Sequence, residues 1–276
     1  MSDVPSRPLL YESHCHTPLC KHALGLPAEY AEAALRRGLR GIIFTDHCPL
    51  PDGISAALRM APAQFDHYVD LIAEVRDLFA GRLDVRLGLE SDYYPGVESW
   101  LEELHARAPL HYVLGSVHTH IAEYRARYLH GDWFAFQQTY FEHLAASAEA
   151  GLFDCLAHPD LVKNEKPPEW NFSRIEGAIL RALDRIAKAG TAMELNTSGV
   201  NKSYPEMNPG LAFLRHMAER KIPVVLGADA HRPERVADGY PAALRMLQSV
   251  GYTEVSYFLE RKRQAVPIAA ALASLP

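Results

Sequence analysis

The chain is poor in cysteine, has no long apolar run and carries no excess of positive charge; each shortage narrows what it can be. Its four cysteines, Cys15, Cys20, Cys48 and Cys155, form no CxxC pair in 276 residues. Neither a disulfide framework nor a cysteine-rich zinc module is therefore expected, and reduced thiols in a cytoplasmic setting are. The apolar stretch Val266–Leu275 falls well short of the about 20 residues that cross a bilayer. The opening MSDVPSRPLLYESH has no apolar leader core, so no secretory signal and no membrane partner are expected. Basic residues number 28 against 34 acidic, a net charge of -6, which argues against a nucleic-acid polymer as partner. GxSxG, GxGxxG and GxxxxGK[ST] are all missing. An esterase elbow, a dinucleotide cradle and a phosphate-binding P-loop are excluded with them. No feature of the sequence specifies an oligomeric state.

What is present is a regular alternation. Short apolar runs at Leu9–Glu12, Gly41–Phe44, Val85–Leu89, Tyr112–Gly115, Phe153–Ala157, Thr191–Leu195 and Pro223–Gly227 read as strands. Between them lie segments with helical spacing: Pro27–Arg37, Pro62–Phe79, Val97–Arg107, Trp133–Ala150, Ser173–Lys188 and Pro209–Arg220. A last helical region follows the seventh strand. About seven βα units without a linker predict one α/β domain over 1–276, with a parallel sheet closed into a barrel. Closure is favoured because candidate ligands follow both the first and the last strand, which an open sheet would hold far apart.

Those ligands are the most informative feature. His14, His16, His47, Glu90, His118, His158, Asp229 and His231 each stand just past a strand. In a parallel barrel such positions gather on the face where the βα loops begin. His14 and His16 are two apart in extended chain, so both imidazoles face the same way. Glu90 ends the apolar run LGLE, where a carboxylate is costly unless paired or coordinated. Asp46 is a candidate acceptor for an imidazole N–H. His120 is a candidate for either support or substrate contact. Asp92 reads as a loop or substrate residue, and Asp160 as a turn acceptor. Lys21, Lys163, Lys202 and Arg232 lie in the same loops and are candidate phosphate contacts. His67, His105, His111, His130, His143 and His216 lack this placement and read as solvated or packing residues.

The segments HCHTPLCKHA, FTDHCPLP, GLESDYYPG, GSVHTH, AHPDLVK, ELNTSG and GADAHRPERV resemble, in order, the motifs of the PHP (polymerase and histidinol phosphatase) family. They are most similar to its metal-dependent histidinol-phosphatase branch. The resemblance runs from about Tyr11 to Gly239 and implies a distorted (β/α)7, TIM-like barrel with its metal site at the C-terminal ends of the strands. It implies three divalent transition-metal ions, zinc, iron or manganese. His14, His16, Glu90 and Asp229 would hold one, and Glu90 would bridge to a second held by His118 and His158. His22, His47 and His231 would hold the third. Glu90, Asp229 and His231 would then be catalytic in the hydrolysis of a small phosphorylated substrate, histidinol phosphate, or alternatively a nucleotide or other small phosphate ester. The chain departs from the family at Asn201, where an arginine is often found.

Overall fold

The computed structural model describes residues 8–276, so the expectation made for the first seven residues lies outside the described residues. Among the described residues nine strands form one sheet in chain order. They are β1 (Tyr11–Glu12), β2 (Gly41–Phe44), β3 (Asp84–Asp92), β4 (Tyr112–Ser116), β5 (Cys155–Leu156), β6 (Ala192–Asn196), β7 (Val224–Gly227), β8 (Glu254–Leu259) and β9 (Lys262–Pro267). The first eight pair in parallel, and β9 returns antiparallel to β8. Helices cover the outside: α1 (Pro27–Arg36), α2 (Phe65–Leu78), α3 (Glu98–His105), α4 (Ala122–Tyr128), α5 (Trp133–Glu149), α6 (Phe172–Ala189), α7 (Leu211–Glu219), α8 (Tyr240–Ser249) and α9 (Ile268–Ser274).

Strands β1, β2 and β4 to β7 are buried along their whole length, as continuous apolar runs such as GIIF require when helices cover a parallel sheet, whereas β9 is largely exposed. Helix α6 illustrates the outer layer. The Asn171 side chain accepts from the Arg174 N–H at its start, and Gly190 ends it at φ 75°. Between them Ile175, Ile179, Leu183 and Ile186 are buried, each such side chain contributing about 1.5–3 kcal/mol of transfer free energy. Strand β3 changes partner along its length: Asp84–Leu87 pair with β2 and Gly88–Asp92 with β4. Gly88 sits at the crossover, where a Cβ would lie 2.8 Å from the Tyr112 carbonyl oxygen and 3.0 Å from that of Phe44. Only glycine lets the two neighbours come this close.

No ladder joins β9 back to β1 among the described residues. The ring is drawn together just beyond β1 and β7, where the His16 N–H donates to Ala230 O and the Ala230 N–H to His14 O, both at 3.0 Å. Glu12 braces this seam. Its carboxylate accepts from the His14, Ala228 and Ala237 N–H groups and from the Tyr240 hydroxyl. The opposite end of the barrel is floored by the β8–β9 hairpin, which the helical reading of the C-terminal region did not anticipate. Tyr257 stacks on Tyr11 at 4.7 Å and Phe258 on Tyr112 at 5.5 Å. Arg261 at the hairpin tip reaches Asp154 at 2.5 Å, ahead of β5. Two further corrections concern helices: α4 was not expected, and α7 starts at Leu211 rather than Pro209.

Candidate metal centre

The strand ends bring the predicted acids and histidines into one cluster. Glu90 is its centre, fully buried at the top of β3. Its Oε2 lies 2.8 Å from His47 Nδ1, 3.5 Å from His14 Nε2 and 3.7 Å from His16 Nε2. Its Oε1 faces the other way, 3.1 Å from His158 Nε2 and 3.4 Å from His118 Nε2. One carboxylate thus divides two groups of imidazoles between its two oxygens. Asp229 Oδ1 closes the first group, 3.3 Å from His16 Nε2 and 3.7 Å from His14 Nε2. His22, His47 and His231 form a further triad of donor atoms at the mouth.

Five of the seven inner nitrogens are aimed because the other nitrogen of the ring is tied. His14 Nδ1 is 2.7 Å from Glu194 Oε1, His16 Nδ1 is 3.4 Å from Asp46 Oδ1, and His118 Nδ1 is 2.5 Å from Asp92 Oδ1. His22 Nδ1 meets the Cys20 carbonyl at 2.7 Å, and His231 Nδ1 that of Asp229 at 3.0 Å. A carbonyl can only accept, so Nδ1 of His22 and of His231 is the protonated nitrogen. Their Nε2 atoms, which then carry lone pairs, stand 2.9 Å apart. Burial pushes His231 down to about 3, and it lowers His22 too, so neither ring protonates at neutral pH to relieve the contact. Two lone pairs facing each other call for a cation that both can bind.

The deeper donors make the same demand. His14 Nε2, His16 Nε2, His47 Nδ1 and Glu90 Oε2 are buried with no hydrogen-bond partner, a cost of about 1–3 kcal/mol each unless something else binds them. Burial would raise the Glu90 pKa, but His47, His14 and His118 outweigh it and hold the carboxyl well below its usual range. An ionised acid ringed by imidazoles is a divalent-metal donor set, and its nitrogen-rich composition suits zinc, iron or manganese better than magnesium. The backbone supports the arrangement at some strain: His158 and Asp229, neither a glycine, hold φ of 27° and 49°.

Three supporting acids sit behind the ligands. Asp46 holds His16 and also accepts from Thr17. Asp92, expected as a loop or substrate residue, instead binds His118 and is itself held by Arg59 at 2.5 Å. Glu194 was missed. It takes His14 with one oxygen and the His158 N–H at 2.8 Å with the other. Its signal was in plain view, since it interrupts the apolar strand AMELN as Glu90 interrupts LGLE.

The cluster opens into a cavity of about 690 Å³. Of the four proposed phosphate contacts, Lys202 and Arg232 line it, joined by Arg235, which sequence reasoning did not single out. The Lys202 ammonium lies 3.1 Å from Asp229 Oδ2. Lys163 does not reach the cavity. It is fully buried, its ammonium spent on Asp160, Glu206 and the Met207 carbonyl at 2.9–3.0 Å. Asp160 is correspondingly more than a turn acceptor, since it also receives Asn208 and the Gly210 N–H. Lys21 turns to the Ala56 carbonyl and is absent from the cavity wall. Both lysines were placed by loop membership alone, which does not fix where a long side chain points. His120 does line the cavity, 5.0 Å ring to ring from His118. Burial, reinforced by His118, pushes it down to about 3, so it is neutral at pH 7.

Comparison with known proteins agrees with this geometry. The model of the PHP domain matches residues 12–198. A Deinococcus radiodurans protein named "Probable histidinol-phosphatase" is 41% identical over 92% of this chain and 98% of its own length. The histidinol-phosphatase of Bacillus subtilis is 28% identical over 84% of this chain and 97% of its own. Among solved structures, a histidinol phosphate phosphatase from Lactococcus lactis, complexed with zinc, L-histidinol and phosphate, superposes with a TM-score of 0.78. It covers 92% of this chain and 98% of its own, and at 19% identity the likeness is one of fold. On the family model and on its identity to full-length relatives, the chain belongs to the PHP family.

Proposed function

We propose that this protein is a metal-dependent phosphatase that hydrolyses L-histidinol phosphate to L-histidinol and inorganic phosphate, using three divalent ions. The observation that carries the reading is the division of Glu90 between two imidazole groups, with a third set at the mouth of an open polar cavity. His14, His16, Glu90 and Asp229 would hold one ion, Glu90, His118 and His158 a second, and His22, His47 and His231 a third. Such ions supply Lewis acidity, lowering the pKa of a water and neutralising phosphate charge. The substrate class follows from the relatives, two of which carry the histidinol-phosphatase name and match nearly end to end.

The chain's own residues do the rest. Lys202 and Arg232, with Arg235, present cationic donors on the cavity wall where phosphate oxygens would lie. Neutral His120 offers the substrate a hydrogen bond without adding charge. Glu194, Asp46 and Asp92 keep His14, His16 and His118 pointing inward, so the ligand set does not have to reorganise as substrate arrives. The free, buried state of all four cysteines supports a reducing, cytoplasmic location. Among the described residues no helix is long and apolar enough to cross a membrane.

The test is substrate discrimination. With metal-replete protein, kcat/KM for histidinol phosphate should exceed that for nucleotide monophosphates and p-nitrophenyl phosphate by at least about a hundredfold, on the order of 3 kcal/mol of differential transition-state binding. A flat preference would remove the assigned substrate and leave a general phosphoesterase.

A further inference from the structure

The long segment between β2 and α2 carries one charged side chain that the metal-ligand geometry leaves unexplained. Arg59 is only 3% exposed, although a guanidinium is normally at the surface. It lines neither the metal cavity nor the smaller aromatic cavity behind His118. A single nitrogen, Nη1, makes both of its polar contacts, donating at 2.5 Å to Asp92 Oδ2 and at 2.9 Å to the Cys48 carbonyl. The other Asp92 oxygen, Oδ1, lies 2.5 Å from His118 Nδ1. Cys48 immediately follows His47. Its own N–H donates at 2.8 Å to the carbonyl of Glu90.

We propose that Arg59 is a positioning residue that fixes His47 and His118, ligands of two different proposed metal positions, through one buried guanidinium. On the His118 side it acts through Asp92. A lone carboxylate sharing a short hydrogen bond with an imidazole competes for the ring proton and can rotate about its own axis. The Arg59 contact to Oδ2 stops the rotation and leaves Oδ1 as the acceptor. His118 is thereby kept with its proton on Nδ1 and its Nε2 lone pair toward Glu90, 3.4 Å away. On the His47 side the bond to the Cys48 carbonyl pins the residue after the ligand, so this stretch of loop stays in register with β3. Burying an arginine for packing alone would be costly, because an unpaired buried charge is strongly destabilising. Pairing it to the acid that orients a ligand gives the burial a role.

The experiment uses the full chain in two forms. In metal-free protein labelled with 15N at histidine, His118 Nδ1–H should give a strongly downfield, slowly exchanging proton resonance. Arg59→Met should broaden or lose it, and Arg59→Lys should largely restore it, because one nitrogen suffices for both bonds. In metal-loaded protein, chelator competition should show two of the three ions, those assigned to His118 and to His47, released about ten- to a hundredfold more readily in Arg59→Met, as expected for loss of an outer-shell partner. The fall in kcat/KM should be carried by kcat, with KM little changed, since Arg59 does not line the cavity. The inference rests on the metal reading only for this second arm. A wild-type protein that takes up no metal would end that reading, while the resonance would still decide the link from Arg59 to His118. If Arg59→Met does not fold by circular dichroism, Arg59→Lys and Asp92→Asn decide. Retention of the His118 resonance and of tight metal in Asp92→Asn, or in a folded Arg59→Met, overturns the proposal.

Discussion

At the C-terminal ends of the strands the barrel gathers imidazoles and ionised acids, and inner atoms of His14, His16, His47 and Glu90 are buried there without hydrogen-bond partners. At the N-terminal ends the same strands are met by aromatic rings: Tyr257 lies on Tyr11, Phe258 on Tyr112, and Arg40 donates to the Tyr257 hydroxyl at 3.1 Å. Both faces hold ion pairs, but they differ in kind. Arg261–Asp154 on the floor is partly solvated and complete in itself, and the floor's unpaired buried oxygen, the Tyr112 hydroxyl, is a neutral group that calls for no cation. The rim is unfinished as a hydrogen-bonded structure, and its carboxylates and imidazoles lower their free energy only by binding cations. The contrast separates what holds the barrel from what the barrel holds. A change at the rim should alter metal binding and turnover, and a change at the floor should alter stability and leave turnover per folded molecule alone.

The largest expected effect tests the rim. Glu90→Gln keeps the shape of the side chain and removes the charge shared between the two imidazole groups. We expect kcat to fall at least about a hundredfold, in the range seen when a stabilising catalytic group is lost, with loss of bound metal by elemental analysis. Near wild-type turnover with full metal content would break the comparison on the rim side.

Much of the rim was legible because acids and histidines at the ends of apolar strands are costly residues that demand a reason. Glu90, Asp229 and the strand-end histidines stood out on that ground. His22, two residues past the single helical turn Pro18–Cys20, did not, and only the family resemblance reached it. Glu194 is less legible than Glu90, because it stands inside the apolar run Thr191–Leu195 and Glu90 stands just past the run Val85–Leu89. Lys163 shows the opposite error. Its charge suggested phosphate, yet its four-carbon stem lets it turn into the Asp160–Glu206 cluster, a choice that nothing in the local sequence records. The floor was the least legible part. Glu254–Pro267 alternates too weakly to announce a hairpin, and its partners Tyr11, Tyr112 and Asp154 lie far away in the chain.

A smaller effect sharpens the floor side. Phe258 is 7% exposed and packs face to face with Tyr112. Phe258→Leu should lower unfolding stability by about 1–2 kcal/mol, a common cost for a core change that leaves a small void. Chemical denaturation would measure it, and kcat per folded molecule should be unchanged. A parallel loss of kcat or of metal would mean that the floor transmits to the rim, and the separation of roles would fail.

The last effect, absent at neutral pH, concerns two histidines that belong to neither end's ion pairs and that read as packing residues from the sequence. Burial pushes both His105 and His143 down to about 4, Arg261 adding to the effect at His105. Each keeps one neutral contact, His105 with Ser91 at 2.9 Å and His143 with the Tyr124 hydroxyl at 2.7 Å. In the unfolded chain both regain an ordinary value near 6.5, so between about pH 6.5 and 4 the unfolded state binds more protons than the native one. Stability must therefore fall as pH drops through that window, with up to about two protons taken up on unfolding, and must be indifferent to these groups above it. Measuring the melting temperature of metal-free protein against pH, for wild type and for a His105→Gln, His143→Gln double variant, isolates the contribution. The variant should show the shallower slope below pH 6.5. Equal slopes would mean that the acid sensitivity comes instead from the carboxylates of the rim, which would make the metal-binding face, and not the packing around it, the first part of the barrel to give way in acid.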